Sequence, residues 1–118
     1  MFKLYKCSNC KTEIMCFSDE ILECCGNKMD EVIPNSIDAS FEKHVPTYEI
    51  VDGKVKANVN HVMEDDHYIE WILYVYGDKH DLIRFEPYMV PEAEFEYVEG
   101  AKLYAYCNKH GLWMSEVK

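Results

Sequence analysis

The residues of this chain that could do chemistry are its cysteines and histidines. Cys7-Ser8-Asn9-Cys10 is a Cys-x-x-Cys loop, and Cys24-Cys25 is a vicinal pair followed by Gly26-Asn27-Lys28-Met29. A Cys-x-x-Cys loop chelates through two sulfurs and can point backbone amides at them. A disulfide between adjacent cysteines would close a small strained ring, so two thiolates on one metal explain the vicinal pair better. Four thiolates in tetrahedral array suit zinc or iron. Burial as a free thiol is a common fate for one cysteine but a poor explanation for four at this spacing. Cys16, in the apolar stretch Ile14-Met15-Cys16-Phe17, reads as a small core hydrophobe.

The sixth cysteine stands apart, in Cys107-Asn108-Lys109-His110-Gly111-Leu112-Trp113. That stretch ends a strand and enters a glycine-containing turn, where a cysteine and a histidine three apart can reach one metal. His61 and His67 flank an acidic patch in HVMEDDHYIEWI, residues 61–72. On a helix, six residues rotate by about 600°, so the two side chains diverge. On one straight strand they share a face but stand about 20 Å apart. They can share a metal only if the chain bends within Val62–Asp66, and Met63-Glu64-Asp65-Asp66 is a polar stretch fit for a turn. His44 lies in Glu42-Lys43-His44-Val45-Pro46, and His80 in a polar stretch that reads as a solvated turn. Taken singly, each histidine is most simply a solvated loop residue, and the acidic stretch is a solvated turn rather than a calcium site.

The elements that must position these residues read as strands. Lys54–Val62 alternates, with Val55, Ala57, Val59 and His61 on one side and Lys56, Asn58 and Asn60 on the other. Tyr68–Tyr76 is apolar apart from Glu70 and rich in β-branched and aromatic residues, which fits a strand covered on both faces. Residues 93–99 and 101–107 alternate again. Turn signals fall at Asp52-Gly53, Gly77-Asp78, Glu86-Pro87, Val90-Pro91 and Glu99-Gly100. Short strands at this spacing predict an antiparallel sandwich or barrel. No segment carries a helical period of useful length.

The chain has 118 residues, 48% of them hydrophobic and 14% aromatic, enough for one ordinary domain or a small domain plus a tiny one. Five of the six cysteines lie in the first 25 residues, a segment too short for a core of its own without a metal, disulfides or a partner. Pro34-Asn35-Ser36-Ile37-Asp38-Ala39-Ser40 reads as a linker. Division into residues 1–35 and 36–118 follows. The net charge of −10 argues against nucleic acid and anionic membrane surfaces as partners. No apolar run approaches the roughly 18 residues that span a bilayer. With no signal-peptide pattern at the N-terminus, a cytoplasmic location is expected. A thiol-rich chain in a reducing compartment reads as metal-binding or redox-active.

Three stretches, Glu42–Pro46, His61–Ile72 and Cys107–Trp113, closely resemble the motifs of superoxide reductases. Cys7–Cys10 with Cys24–Met29 resembles the desulforedoxin-like domain of the two-iron type, desulfoferrodoxin. The resemblance covers essentially the whole chain. It implies a mainly β architecture: a small desulforedoxin/rubredoxin-like metal domain, then an immunoglobulin-like antiparallel β-sandwich. It implies two iron ions per chain. His44, His61, His67 and His110 would be nitrogen ligands of the catalytic ferrous ion, Cys107 its axial thiolate, and Cys7, Cys10, Cys24 and Cys25 the ligands of the second iron. Glu42 would cap the catalytic metal and Lys43 would attract the anionic substrate, superoxide, and help deliver a proton. The product would be hydrogen peroxide, the electron donor a rubredoxin, and the assembly a homodimer. Amides around Asn108–His110 are candidates to hydrogen-bond the Cys107 sulfur, and Lys109 to add positive potential. Val62 stands where the family commonly has proline, Phe41 stands where it commonly has glycine, and Cys16 is additional. The alternative is a non-catalytic iron-binding electron-transfer protein.

Overall fold

A computed structural model describes residues 2–118. The chain divides into two compact units, one ending at Ile33 and the other spanning Pro34–Lys118.

In the first unit, β1 (Lys3–Lys6) pairs antiparallel with β2 (Glu13–Cys16) and with β5 (Asp30–Val32), while β3 (Glu23–Cys24) and β4 (Asn27–Lys28) form a short hairpin. That hairpin turns on Cys25 and Gly26, whose φ values are 54° and 77°. Two consecutive positive φ values define the tight turn that matches the twist of its strands. Tyr5, Cys7, Cys16 and Met29 form the small core. Cys16 is therefore the core residue its neighbours predict, with its thiol donating to the Ser18 carbonyl at 3.3 Å.

In the second unit, β6 (Thr47–Val51), β7 (Lys54–Asn58) and β10 (Glu92–Glu96) make one sheet, ordered β10-β7-β6. The other sheet is ordered β12-β11-β8-β9, from β8 (Ile69–Tyr76), β9 (Lys79–Arg84), β11 (Lys102–Cys107) and β12 (Gly111–Glu116). All neighbours are antiparallel. Val55, Ala57 and Phe95 of the first sheet share one core with Ile72, Tyr74, Leu103 and Ala105 of the second. Of the sandwich or barrel that the alternation predicts, this is the sandwich, the immunoglobulin-like architecture that the family resemblance implies. β8 is buried from Trp71 through Val75, hence on both faces.

Two details depart from the sequence reading. Pro34–Ser40 is not a free linker. Asn35 donates its N–H to the Leu112 carbonyl at 2.9 Å, and its side-chain amide bonds both ways to the Met114 backbone, at 3.1 and 2.8 Å. The side chain acts as one more strand neighbour for β12, which composition alone cannot reveal. His80 lies on exposed β9 rather than in the turn, because Gly77 and Asp78 complete the reversal by themselves. Phe41–Lys43 is one turn of 3-10 helix. Among the described residues, no helix is long and apolar enough to cross a membrane.

Candidate metal centre

One edge of the sandwich collects five donor side chains from four places in the chain. His44 follows the 3-10 turn. It is 4% exposed, and its Nδ1–H donates to the Ser40 carbonyl at 2.7 Å. That bond fixes the tautomer and leaves the Nε2 lone pair free. His61 repeats the device beyond β7, with Nδ1 bonded to the Val62 carbonyl at 2.5 Å.

The bend required between His61 and His67 is present. Glu64 and His67 bond each other's backbones at 2.9 and 3.3 Å, so the chain reverses over Asp65 and Asp66. The two rings end 4.6 Å apart at 87°.

Cys107 closes β11. Opposite it the ladder slips: Tyr106 faces Trp71 but Cys107 faces Ile69, leaving Glu70 as a bulge. A bulge re-aims the side chains beyond it, and Cys107 lies fully buried among the core residues. His110 sits three residues on, before Gly111 with φ 79°, where a side chain would be strained.

The four imidazoles close into a ring. Centroid distances around it are 4.8 Å for His44–His61, 4.6 Å for His61–His67, 5.1 Å for His67–His110 and 4.9 Å for His110–His44. Neighbouring planes meet at 68° to 87°. The Cys107 sulfur stands 3.4 Å from His61 Nε2 and 3.9 Å from His110 Nδ1. His44 Nε2 is 3.1 Å from His110 Nδ1. One donor atom from each of the five residues lies within 4.8 Å of all the others.

His67 Nε2 is buried without a hydrogen-bond partner. An unsatisfied buried polar atom costs about 1–3 kcal/mol, and a metal accepting that lone pair removes the cost. Five protein donors exceed zinc's usual four, and imidazoles with one thiolate suit iron. The donor set fits iron on both counts.

Electrostatics point the same way. Burial first, then the neighbouring imidazoles, hold His44 and His67 below the ordinary histidine range. His61 is pushed down to about 4 by the same two causes. All three are neutral at pH 7, the form that ligates. Burial pushes the Cys107 thiol up, against the Lys109 and His110 amides, which pull it down. The His110 N–H donates to the sulfur at 3.4 Å, as expected for amides of this turn.

Three supports escaped sequence reasoning, although two lie inside the motif that carries Cys107. Asn108 bonds Tyr68 N–H through Oδ1 and the Asp66 carbonyl through Nδ2, each at 3.0 Å, clamping the Cys107 turn to the His67 turn. Trp113 is fully buried, stacks on His44 at 4.9 Å and 25°, and donates its Nε1–H to the His110 carbonyl at 3.1 Å. The third is the Ser40 carbonyl. Lys109 is paired with Asp66 at 3.6 Å, which offsets the positive potential expected of it. Glu42 and Lys43 are exposed on the 3-10 turn and make no side-chain hydrogen bond or ion pair among the described residues.

The first unit gathers the other donor set. Cys7, Cys10, Cys24 and Cys25 hold their sulfurs within 4.8 Å of one another, with Cys10–Cys24 at 3.5 Å and Cys24–Cys25 at 3.8 Å. Leu4 of β1 is a buried apolar residue and offers this set no side-chain donor. Sulfurs on a tetrahedron with bonds of about 2.3 Å stand about 3.8 Å apart. The Thr12 hydroxyl, 3.0 Å from Cys10, draws that thiol down to about 6, while the hydrogen bond to Cys10 pushes Cys24 up to about 12. Opposite shifts on these two touching sulfurs reflect one ionised sulfur disfavouring the other, and a cation between them would remove that repulsion.

Comparison with known proteins bears on both units. The chain is 40% identical over 121 residues to a desulfoferrodoxin from Desulfarculus baarsii, covering 97% of this chain and 95% of that one. Its fold matches the superoxide reductase from Treponema pallidum with a TM-score of 0.73 over 98% of both chains, at 24% identity. The superoxide reductase (1Fe-SOR) from Giardia intestinalis matches 65% of this chain and 98% of its own, with a TM-score of 0.56 and 26% identity. The pattern of one family, Desulfoferrodoxin, runs through residues 36–116. This chain belongs to the desulfoferrodoxin family.

Proposed function

We propose that this chain is a superoxide reductase, an oxidoreductase that converts superoxide to hydrogen peroxide by adding one electron and two protons. The observation that carries the reading is the closed ring of four imidazoles with the Cys107 sulfur against it. Iron in that site supplies the electron by cycling between its ferrous and ferric states.

The chain's own residues set the conditions. Ser40 and Val62 carbonyls hold two imidazoles in the ligating tautomer. The Cys107 thiolate donates electron density and favours loss of the electron, and the amide of His110 tempers that donation. Lys43 is a cation with no ion-pair partner among the described residues, so it gives local attraction to an anion despite the chain's net charge of −10. Its ammonium can also hold a water that hands on a proton. Glu42 is the exchangeable carboxylate that covers the site between turnovers.

The assignment of roles extends to the domains. Residues 1–35 form a desulforedoxin-like domain holding ferric iron on Cys7, Cys10, Cys24 and Cys25. Residues 36–118 form the catalytic domain, with iron on His44, His61, His67, Cys107 and His110. A rubredoxin is the proposed donor, a homodimer the proposed assembly, and the cytoplasm the proposed location, all from family resemblance.

Cys107→Ser tests the reading. The variant should lose superoxide reduction while keeping the iron of the four-cysteine site. Full activity in that variant would refute the proposed centre.

A further inference from the structure

The turn that carries Glu42 and Lys43 is intrinsically weak. It is a three-residue 3-10 helix whose N-cap, Ser40, makes no side-chain cap bond. Its backbone bonds are Lys43 N–H to the Ser40 carbonyl at 3.3 Å, then His44 and Val45 N–H to the Phe41 carbonyl at 3.1 and 2.8 Å. None of its three side chains is buried. An isolated turn of this length does not hold its shape in water.

His44, which follows the turn, bonds back to the Ser40 carbonyl at 2.7 Å, and of the turn's own three side chains one ties it down. Phe41 is 55% exposed, yet its ring meets Trp113 edge-on, with centroids 5.2 Å apart at 85°. Edge-to-face is the favoured geometry for such a pair. Trp113 is a rigid base for it, fully buried, stacked on His44 and bonded to the His110 carbonyl.

We infer that Phe41 is a positioning residue, whose ring latched on Trp113 sets where Glu42 and Lys43 stand beside His44. What those two residues do rests on the superoxide-reductase reading, whereas the latch is a property of the fold. Phe41 touches neither substrate nor metal and acts through the turn it begins.

Hydrogen exchange by mass spectrometry on the full, metal-loaded chain tests the latch, read at the His44 and Val45 amides. In Phe41→Ala these amides should exchange about 2- to 12-fold faster, the range expected for losing one aromatic pair. Phe41→Tyr keeps the ring and should restore the wild-type rate. The same Ala variant should also lose part of the ionic-strength dependence of the superoxide rate, moving toward Lys43→Ala. Unchanged exchange in Phe41→Ala overturns the latch. Faster exchange with an unchanged ionic-strength dependence overturns the positioning role. A wild-type chain with no superoxide reduction refutes the functional reading instead, and the exchange result still decides the latch.

Discussion

Replacing Asn108 by alanine tests how the metal centre is held together. The side chain makes two bonds, to Tyr68 N–H and to the Asp66 carbonyl, each at 3.0 Å. Because Asn108 is exposed, water replaces part of what is lost, so each bond contributes about 0.5–1 kcal/mol and the pair about 1–2 kcal/mol. For a domain of this size, each kcal/mol moves the melting temperature by about 4–8 °C, giving a fall of roughly 5–15 °C in the unit that spans Pro34–Lys118. The effect on metal should exceed the effect on the fold. Asp66 and Asn108 adjoin His67 and Cys107, so losing the clamp loosens two ligand-bearing turns that keep the Asn108 N–H to Tyr68 carbonyl bond at 3.2 Å and the Lys109–Asp66 pair. Loss of such support typically costs 10- to 100-fold in metal affinity. Near-ultraviolet dichroism on heating reads the first quantity, and iron retained against a chelator reads the second. Asn108→Asp keeps the acceptor for Tyr68 N–H but turns a carboxylate toward the Asp66 carbonyl, so it should sit between wild type and alanine. Visible absorption of the four-cysteine site should be unaffected throughout. An alanine variant that melts within a degree or two of wild type and keeps its histidine-bound iron would refute the clamp.

Other perturbations follow from the same geometry. In metal-free protein the His61 imidazole titrates near 4, against about 6.5 when unfolded. The unfolded chain therefore binds more protons between those values, and stability falls as pH drops through that window. His61 is partly exposed, so screening reduces its share to about 1–2 kcal/mol, with His44 and His67 adding in the same direction. A melting temperature that stays flat from pH 7 to pH 5 would contradict this. In the metal-loaded form the same protonation competes with the metal, and iron should be released as pH falls. Val62 serves His61 through its carbonyl, and its N–H has no partner among the described residues. Proline there keeps that carbonyl, so Val62→Pro should change stability by no more than about 1 kcal/mol and leave iron content intact, as metal analysis would show.

The two donor sets were legible in the sequence because ligand chemistry restricts residue type. Few explanations other than a metal suit Cys7, Cys10, Cys24 and Cys25 together, and the three histidine motifs carry their own order. The bend over Asp65 and Asp66 was legible for a geometric reason, since no regular element lets His61 and His67 meet. Sandwich strands such as β7 and β8 announced themselves by the period of their apolar residues. What stayed hidden were contacts between residues far apart in the chain. Asn108 and Asn35 look like turn residues, and nothing local says that one clamps Asp66 and Tyr68 or that the other extends the β12 ladder. Trp113 looks like a core aromatic, and its stack on His44 depends on a register set by the whole sheet. The Ser40 carbonyl is a backbone group, and its bond to His44 exists only because the 3-10 turn folds.

Central to all of this is reduction, rather than dismutation, of superoxide at the five-donor centre. Superoxide generated by a radiolytic pulse in the presence of reduced, iron-loaded protein should yield one hydrogen peroxide for each superoxide consumed, with no dioxygen evolved. One peroxide for every two superoxides, with dioxygen released, or superoxide that decays at its spontaneous rate, would contradict it.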